Sequence, residues 1–404
     1  MSFLPLAETR VLDLTSSLAG PYCTQILAAL GADVVKIEHP QRGDETRAWG
    51  PPFWDGEGAI FLAANAGKRS LALDFHAPAG KEALLRLADR ADVVVQSLRP
   101  GLIDRLGFGA DELRARNPSL VYCSIGAFGR VGPRASHAGY DPLMQAIGGI
   151  MSVTGEPERP GVRVGVSMID QSTGMWAALG IIAATWERER TGEGRVVDVS
   201  LYETVLGLVG YHVVGYLGSG HVPGRHGTAF PLIAPYEAFA ATDGDLMVLA
   251  ANDRLFAGLC SALGQPELAA DPRFGTNPDR VANRGELIAL LAQSFATETV
   301  ATWVERLDDA GVPAAPVQDV AQVAEDEQTS ALGLLQTLDH PTVRDLRTPA
   351  VSLSLDGERP RYASAPPLLG EHSDEVLREL GYSAAEVEAL AAAGVVALGN
   401  GPAR

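Results

Sequence analysis

The chain has 404 residues, 46% hydrophobic and 20% charged, which is enough apolar material for two domains with sizeable cores. It carries 32 Lys and Arg against 50 Asp and Glu, a formal net charge of −18. With no cationic excess to release counterions, general binding to nucleic acid or to an anionic membrane is excluded; a phosphorylated small ligand held by a few local arginines is not.

Val11 to Leu14 reads as a strand and Pro21 to Leu30 as a helix, with Gly31 placed to end it. Val34–Glu38, Ser70–Asp74, Val93–Ser97 and Leu120–Ile125 follow as strands, with a helix over Pro78–Arg90. This alternation predicts right-handed βαβ crossovers and an α/β fold with a mainly parallel, Rossmann-like sheet. Ligands of such sheets bind beyond the C-terminal strand ends, here the loops after Leu14, Glu38, Asp74 and Ser97. A Pro/Gly-rich segment from Arg159 to Gly174 then carries one acid, Asp170, ahead of a helical run from Met175 to Thr185. Read alone, Asp170 is a helix N-cap.

From about Phe230 the texture changes. Tyr236–Ala240 and Leu246–Ala250 flank a Thr-Asp-Gly-Asp turn, and helices are expected over 253–263, 279–296 and 298–310. Strand-like pieces return at Leu335–Leu338 and Val351–Leu355, before a Pro-rich linker and two terminal helices. The domain reading is therefore a large domain over 1–224, a smaller α+β domain over 225–325, and a return to the large domain over 326–404.

Three cysteines, Cys23, Cys123 and Cys260, lie in apolar surroundings without CxxC spacing and are read as buried thiols. The opening residues lack the basic-then-apolar pattern of a secretory leader. The longest apolar run, near Met175, is about a dozen residues against the roughly 20 that span a bilayer. A soluble, cytoplasmic protein is expected. There is no GxGxxG after the first strand, no GxxxxGK[ST], no HExxH and no GxSxG, so nothing points to a nucleotide cofactor, a metal or a hydrolase elbow.

What remains is acids and arginines on loops. Arg99-Pro100-Gly101 follows a strand, and Arg105 lies one helical turn on. The pair would hold phosphates, or would simply be a solvated helix start. Asp141 is placed to cap a helix over Pro142–Ala146. Arg42, Arg47, Lys68 and Arg69 read as surface charges.

Taken together, several segments resemble the family III CoA-transferases, the CaiB/BaiF type. They include Leu12-Asp13-Leu14, Ala19-Gly20-Pro21, Gly31-Ala32-Asp33-Val34-Val35-Lys36-Ile37-Glu38, Arg99-Pro100-Gly101, Gly139-Tyr140-Asp141, Asp170, Thr191-Gly192-Glu193-Gly194, Asp271-Pro272-Arg273-Phe274 and Gly370-Glu371-His372. They run in order over nearly the whole chain. The resemblance implies two chains interlocked as a homodimer, acyl-CoA and a carboxylic acid as small-molecule partners, and no metal. It implies that Asp170 is the nucleophile, passing through an aspartyl anhydride and an aspartyl-CoA thioester. It places CoA against Leu18, Ala19, His39, Leu73, Asp74, Phe75, His76, Ser97, Leu98, Arg99, Arg105, Ala138, Gly139, Tyr140 and Asp141.

The formyl-CoA:oxalate members have other residues where Leu18, His39 and Ser97-Leu98 stand, and a longer glycine-rich loop near Gly224–Thr228. That turns the expectation away from oxalate. The Arg47–Phe53 and Arg225–Thr228 segments look closer to succinyl-CoA:glutarate transferases, with Arg47, Arg225 and His226 as candidate partners of the acceptor acid. The related α-methylacyl-CoA racemases use a Gly-His-Asp base. Here Tyr140 takes that position, and a phenol of reference pKa about 10 is a poor base, so transfer is preferred. A CoA-binding protein without turnover is the third reading, and the retained Asp170 argues against it.

Overall fold

The structure, a computed structural model, describes residues 4–399. The chain forms two compact units, one from Met1–Gly148, Val164–Val214 and Glu327–Arg404, the other from Gly149–Arg163 and Gly215–Asp326. The second unit thus begins earlier than residue 225 and recruits a distant segment. Within it Gly227 donates to Gly155 O at 2.9 Å, and Arg225 to Glu156 O at 3.2 Å. Such pairing between distant segments leaves no local pattern to read.

The first unit is built on β1 (Arg10–Leu14), α1 (Ala19–Ala29), β2 (Asp33–Glu38), β3 (Lys68–Leu73), α2 (Pro78–Ala88), β4 (Val93–Gln96), β5 (Val121–Gly126), α3 (Asp141–Ile147), α4 (Met168–Thr191), β6 (Val196–Ser200), α5 (Leu201–Leu208) and a last strand, β7 (Val396–Ala397). The sheet order is β7-β3-β2-β1-β4-β5-β6. All neighbours are parallel except β7, which runs antiparallel to β3. Val11 of β1 pairs with both Val34 of β2 and Val93 of β4, so the winding reverses at β1/β4. That is the switch point at which such sheets open a ligand crevice.

Period-2 alternation gives each strand two faces. Leu12, Leu14, Val35, Ile37, Leu71 and Leu73 pack on one face with Ala83 and Leu84 of α2 and with Val376, Leu377 and Val387 from the chain's end. Asp13, Lys36, Glu38, Lys68 and Ser70 lie on the other, and all are buried. Lys68 Nζ reaches Asp13 Oδ2 at 3.2 Å, Pro21 O of α1 at 2.8 Å and Asn65 Oδ1 at 2.8 Å. Lys36 Nζ meets Asp44 Oδ2 at 2.8 Å. Arg47 grips Glu38 through Nε at 2.7 Å and Nη2 at 2.9 Å, and lies over the Phe61 ring. Lys68 and Arg47 are therefore not surface charges. The alternation puts Lys68 on a polar face with Glu38, Arg47 reaches Glu38 from the turn after β2, and α1 with the segments around it closes over that face. Arg69 bridges Asp33, Glu375 and Glu379, and Arg42 is exposed.

Helix α4 lies directly on α1. A Cβ at Gly174 would stand 2.6 Å from Ala19 O, a distance that only glycine allows. The strands at Val196–Ser200 and Val396–Ala397 go beyond the sequence reading. Val351–Leu355 is not a strand: Leu335–Thr337 pairs with Arg347–Pro349 instead, an edge segment whose proline disguised it.

The second unit has an antiparallel sheet of Tyr236–Ala240, Asp245–Leu249 and Ala314–Pro316, packed on helices over Asp253–Ala262, Asn277–Ala282, Arg284–Phe295 and Val300–Asp309. The helix expected over 279–296 is two, broken at Asn283. Buried Arg280 ties this unit together, donating to Ala234 O, Phe274 O and Asp253 Oδ1 at 2.8, 3.0 and 2.8 Å. Among the described residues no single helix is long and apolar enough to cross a membrane.

Candidate active site

A cavity of about 470 Å³ opens at the β1/β4 switch point. Ser16, Ser17, Ala19 and Gly20 after β1 line it, with Ser97, Leu98, Arg99 and Pro100 after β4, Ile125 to Ala127 at the end of β5, His137 to Tyr140, and Asp170. The Ser16 N–H donates to Ser97 Oγ at 3.2 Å, joining the two loops across the crevice. The loop after β1 is anchored from beneath, where Lys36 Nζ donates to Thr15 O at 2.8 Å. Ser17 adopts φ +69°, a left-handed conformation costly for a non-glycine residue. The buried charges of β1 and β2 therefore shape one wall of the cavity.

Asp170 is the third residue of α4, not its cap. Ser167 holds the cap position and makes no side-chain cap bond. The capping is done from another helix. Asp141 Oδ2 accepts the N–H groups of Ile169 at 2.7 Å and of Asp170 at 3.2 Å. Asp141 is therefore not the cap of its own helix, which it begins as the first residue after Tyr140. Its other oxygen accepts from Gln145 Nε2 at 2.6 Å, and Gln145 Oε1 accepts the Val164 N–H at 2.7 Å. Two N–H groups at the start of α4 are thus already engaged. Asp170 is half-buried, and burial, then the charge of Asp141, raise its carboxyl to about 7. A cleft carboxylate so perturbed marks a candidate functional group.

The other residues singled out in the sequence divide into groups. Ala19, Ser97, Leu98, Arg99, Ala138, Gly139 and Tyr140 share the cavity with Asp170. A second cavity of about 630 Å³ shares Leu98, Arg99, Pro100, Ile125 and Gly126 with it. Leu18 is half-buried just before α1, outside the lining. His39, Asp74, Phe75 and His76 gather at the ends of β2 and β3, where the rings of Phe75 and His76 stack at 5.0 Å. Burial, then Arg42, lowers the pKa of His39.

The side chains of Leu73 and Asp141 are buried, the first in the core and the second under α4, so neither presents a ligand surface. Arg99 and Arg105 are exposed, and neither has an ion-pair partner among the described residues. Arg47 is committed to Glu38, Glu57 and Pro367 O, and is not available to an acceptor acid. Arg225 and His226 belong to the second unit. The sequence reading missed Ser16, Ser17, His137 and Gln145. Only Gln145 left a signal, its i,i+4 spacing from Asp141.

The family described as CoA-transferase family III matches residues 6–373. The chain belongs to this family. A mouse protein, succinyl-CoA:glutarate CoA-transferase, is 37% identical over 396 residues, covering 98% of this chain and 91% of its own. An Acetobacter aceti protein, acetyl-CoA:oxalate CoA-transferase, is 40% identical over 332 residues, covering 82% and 85%. The crystal structure of a CAIB/BAIF family protein from Brucella suis is 39% identical, with a TM-score of 0.86 over 94% of this chain and all of that one. The protein is thus a family III CoA-transferase, and CoA thioesters are its substrates.

Proposed function

We propose that this transferase moves CoA from succinyl-CoA to a dicarboxylic acid by covalent catalysis on Asp170. One observation carries the reading: a half-buried carboxylate, raised to about 7, stands in the cavity at the sheet's switch point. The Asp170 carboxylate attacks the donor thioester carbonyl, and the CoA thiolate leaves, giving a mixed anhydride. The thiolate returns to the aspartyl carbonyl, releases the donor acid and forms an aspartyl-CoA thioester. The acceptor carboxylate attacks that thioester, giving a new anhydride and thiolate. Thiolate attack on the acceptor's acyl carbon then frees Asp170. One thioester is exchanged for another, so fixed placement does the work that a base or an energy source would otherwise supply.

CoA is read as lying along the strand ends. Arg99 and Arg105 would meet its phosphates, the Phe75–His76 pair its adenine, and the Ser97–Leu98 and Ala138–Tyr140 loops its pantetheine arm. The dicarboxylate reading is supported by the mouse relative's name and by the segments that resemble glutarate transferases. The 40% identity to an oxalate transferase shows that overall likeness does not choose among diacids. Exposed apolar side chains on α4 and beyond, among them Trp176, Leu179, Trp186 and Tyr211, support a second copy covering this surface, interlocked as the resemblance implies.

Asp170→Ala should lose transfer by about a thousandfold or more while still binding CoA. Retention of more than a few per cent of activity by clean protein would sink the assignment. In a panel of acids offered with succinyl-CoA, glutarate and succinate should outcompete acetate. A monocarboxylate turned over fastest would overturn the diacid reading and leave transfer standing. Sedimentation at nanomolar concentration should show dimer only, and a monomer boundary would refute interlocking.

A further inference from the structure

We propose that Asp141 is a positioning residue for the nucleophile: its carboxylate fixes the first turn of α4 by two backbone hydrogen bonds, and its negative charge makes Asp170 more ready to be acylated. The inference rests on the reading of Asp170 as nucleophile. Asp141 is 1% exposed and receives the N–H of Asp170 itself. Its hydrogen-bond partners are two backbone N–H groups and the Gln145 amide, and among the described residues no cation pairs with it. Gln145, fully buried, carries the hold onward to Val164. The latch therefore ties the stretch from Val164 to Asp170 onto α3.

A cap alone does not require this charge. Asn or Ser would accept the same two N–H groups and add no repulsion. With an acid there, an ionised Asp170 shares the first turn of α4 with a second negative charge. Conversion of Asp170 to the anhydride or the CoA thioester removes one of the two charges and relieves the repulsion. A carboxylate made more basic in this way is also the better nucleophile. The repulsion thus narrows the gap between the free enzyme and its covalent intermediates.

Other charges around Asp170 do not reproduce this arrangement. Glu45, Arg99, His137 and Tyr140 line the cavity, Tyr22 of α1 packs beside Gly174 further along α4, and Glu203 of α5 is held by Ser200. Among the described residues, Asp141 is the charge that adds to burial in raising Asp170.

The test is Asp141→Asn, which keeps an acceptor for both N–H groups and deletes the charge. The acid limb of the kcat/KM–pH profile should move to lower pH by about one unit or more. The aspartyl-CoA adduct seen by intact mass with succinyl-CoA alone should fall several-fold. A purely structural cap would lower activity evenly across pH and leave the limb in place, and that result overturns the proposal. So does a limb that moves in His137→Gln instead. If Asp141→Asn does not fold, Asp141→Ser carries the same test. An active Asp170→Ala would sink the nucleophile reading, whereas an unmoved limb beside an inactive Asp170→Ala sinks only this one.

Discussion

Asp13 and Asp170 are two acids withdrawn from water in the same unit, and their surroundings drive them in opposite directions. Asp13 is fully buried, which by itself would raise its pKa. Lys68 and Lys36, with hydroxyls from Thr15 and Thr24, outweigh that and hold it at about 2. Asp170 is less buried, yet among the described residues no cation answers its burial and Asp141 is a neighbour, so it rises to about 7. Burial sets how strongly a neighbour is felt; the sign of the neighbour decides the outcome. The first acid is locked as a permanent ion and serves the fold. The second is held near the point of titration, as the proposed nucleophile would need.

The contrast can be broken first at Asp13. Asp13→Asn leaves Lys68 and Lys36 short of a counter-charge in the interior, and should cost about 3–5 kcal/mol in urea unfolding at pH 7. Because the folded pKa of Asp13 is depressed, its contribution is present above the usual carboxylate range and is lost as pH falls toward 2. A cost well under 1 kcal/mol would make the buried network no more important than a surface pair.

Asp170→Asn should do the reverse. With a raised folded pKa, the ionised acid opposes folding above pH 7, and the penalty fades as pH falls to about 3, where folded and unfolded states are both mostly protonated. The variant should therefore be more stable than the parent at pH 8, by about 1–3 kcal/mol, and equal to it near pH 3. A loss of stability at pH 8 would show Asp170 to be a structural ion like Asp13.

The smallest expected effect sharpens the comparison. Thr24→Val deletes the 2.6 Å hydroxyl bond to Asp13 Oδ2. It should cost about 1–2 kcal/mol of stability without moving the acid limb of the activity profile. A moved limb would mean that the two acids are electrostatically coupled.

The parts legible in sequence were those that local chemistry dictates. The strands β1, β2, β4 and β5 show as runs with β-branched residues, the switch-point loops follow from the βα alternation, and Asp170 stood out as the lone acid of an apolar, glycine-rich stretch. The last short strand was not legible, because its partner Leu73 lies far along the chain, and the Arg347–Pro349 strand was not, because its proline reads against a strand. Lys68 shows the limit well. The sequence reading starts the strand at Ser70, which leaves Lys68 outside it as a surface charge; that Lys68 opens the strand and is covered by α1 shows only in the structure.

What the sequence determined by itself is therefore the alternation of elements, the family, and the acid that carries the proposed chemistry. Tertiary structure alone decided which polar face is covered, that Arg47 is spent on Glu38, and that Asp141 caps α4 rather than its own helix. The reason is physical. Periodicity records how side chains alternate about one backbone. The charge state of a buried group depends on what another part of the chain places within a few ångströms of it.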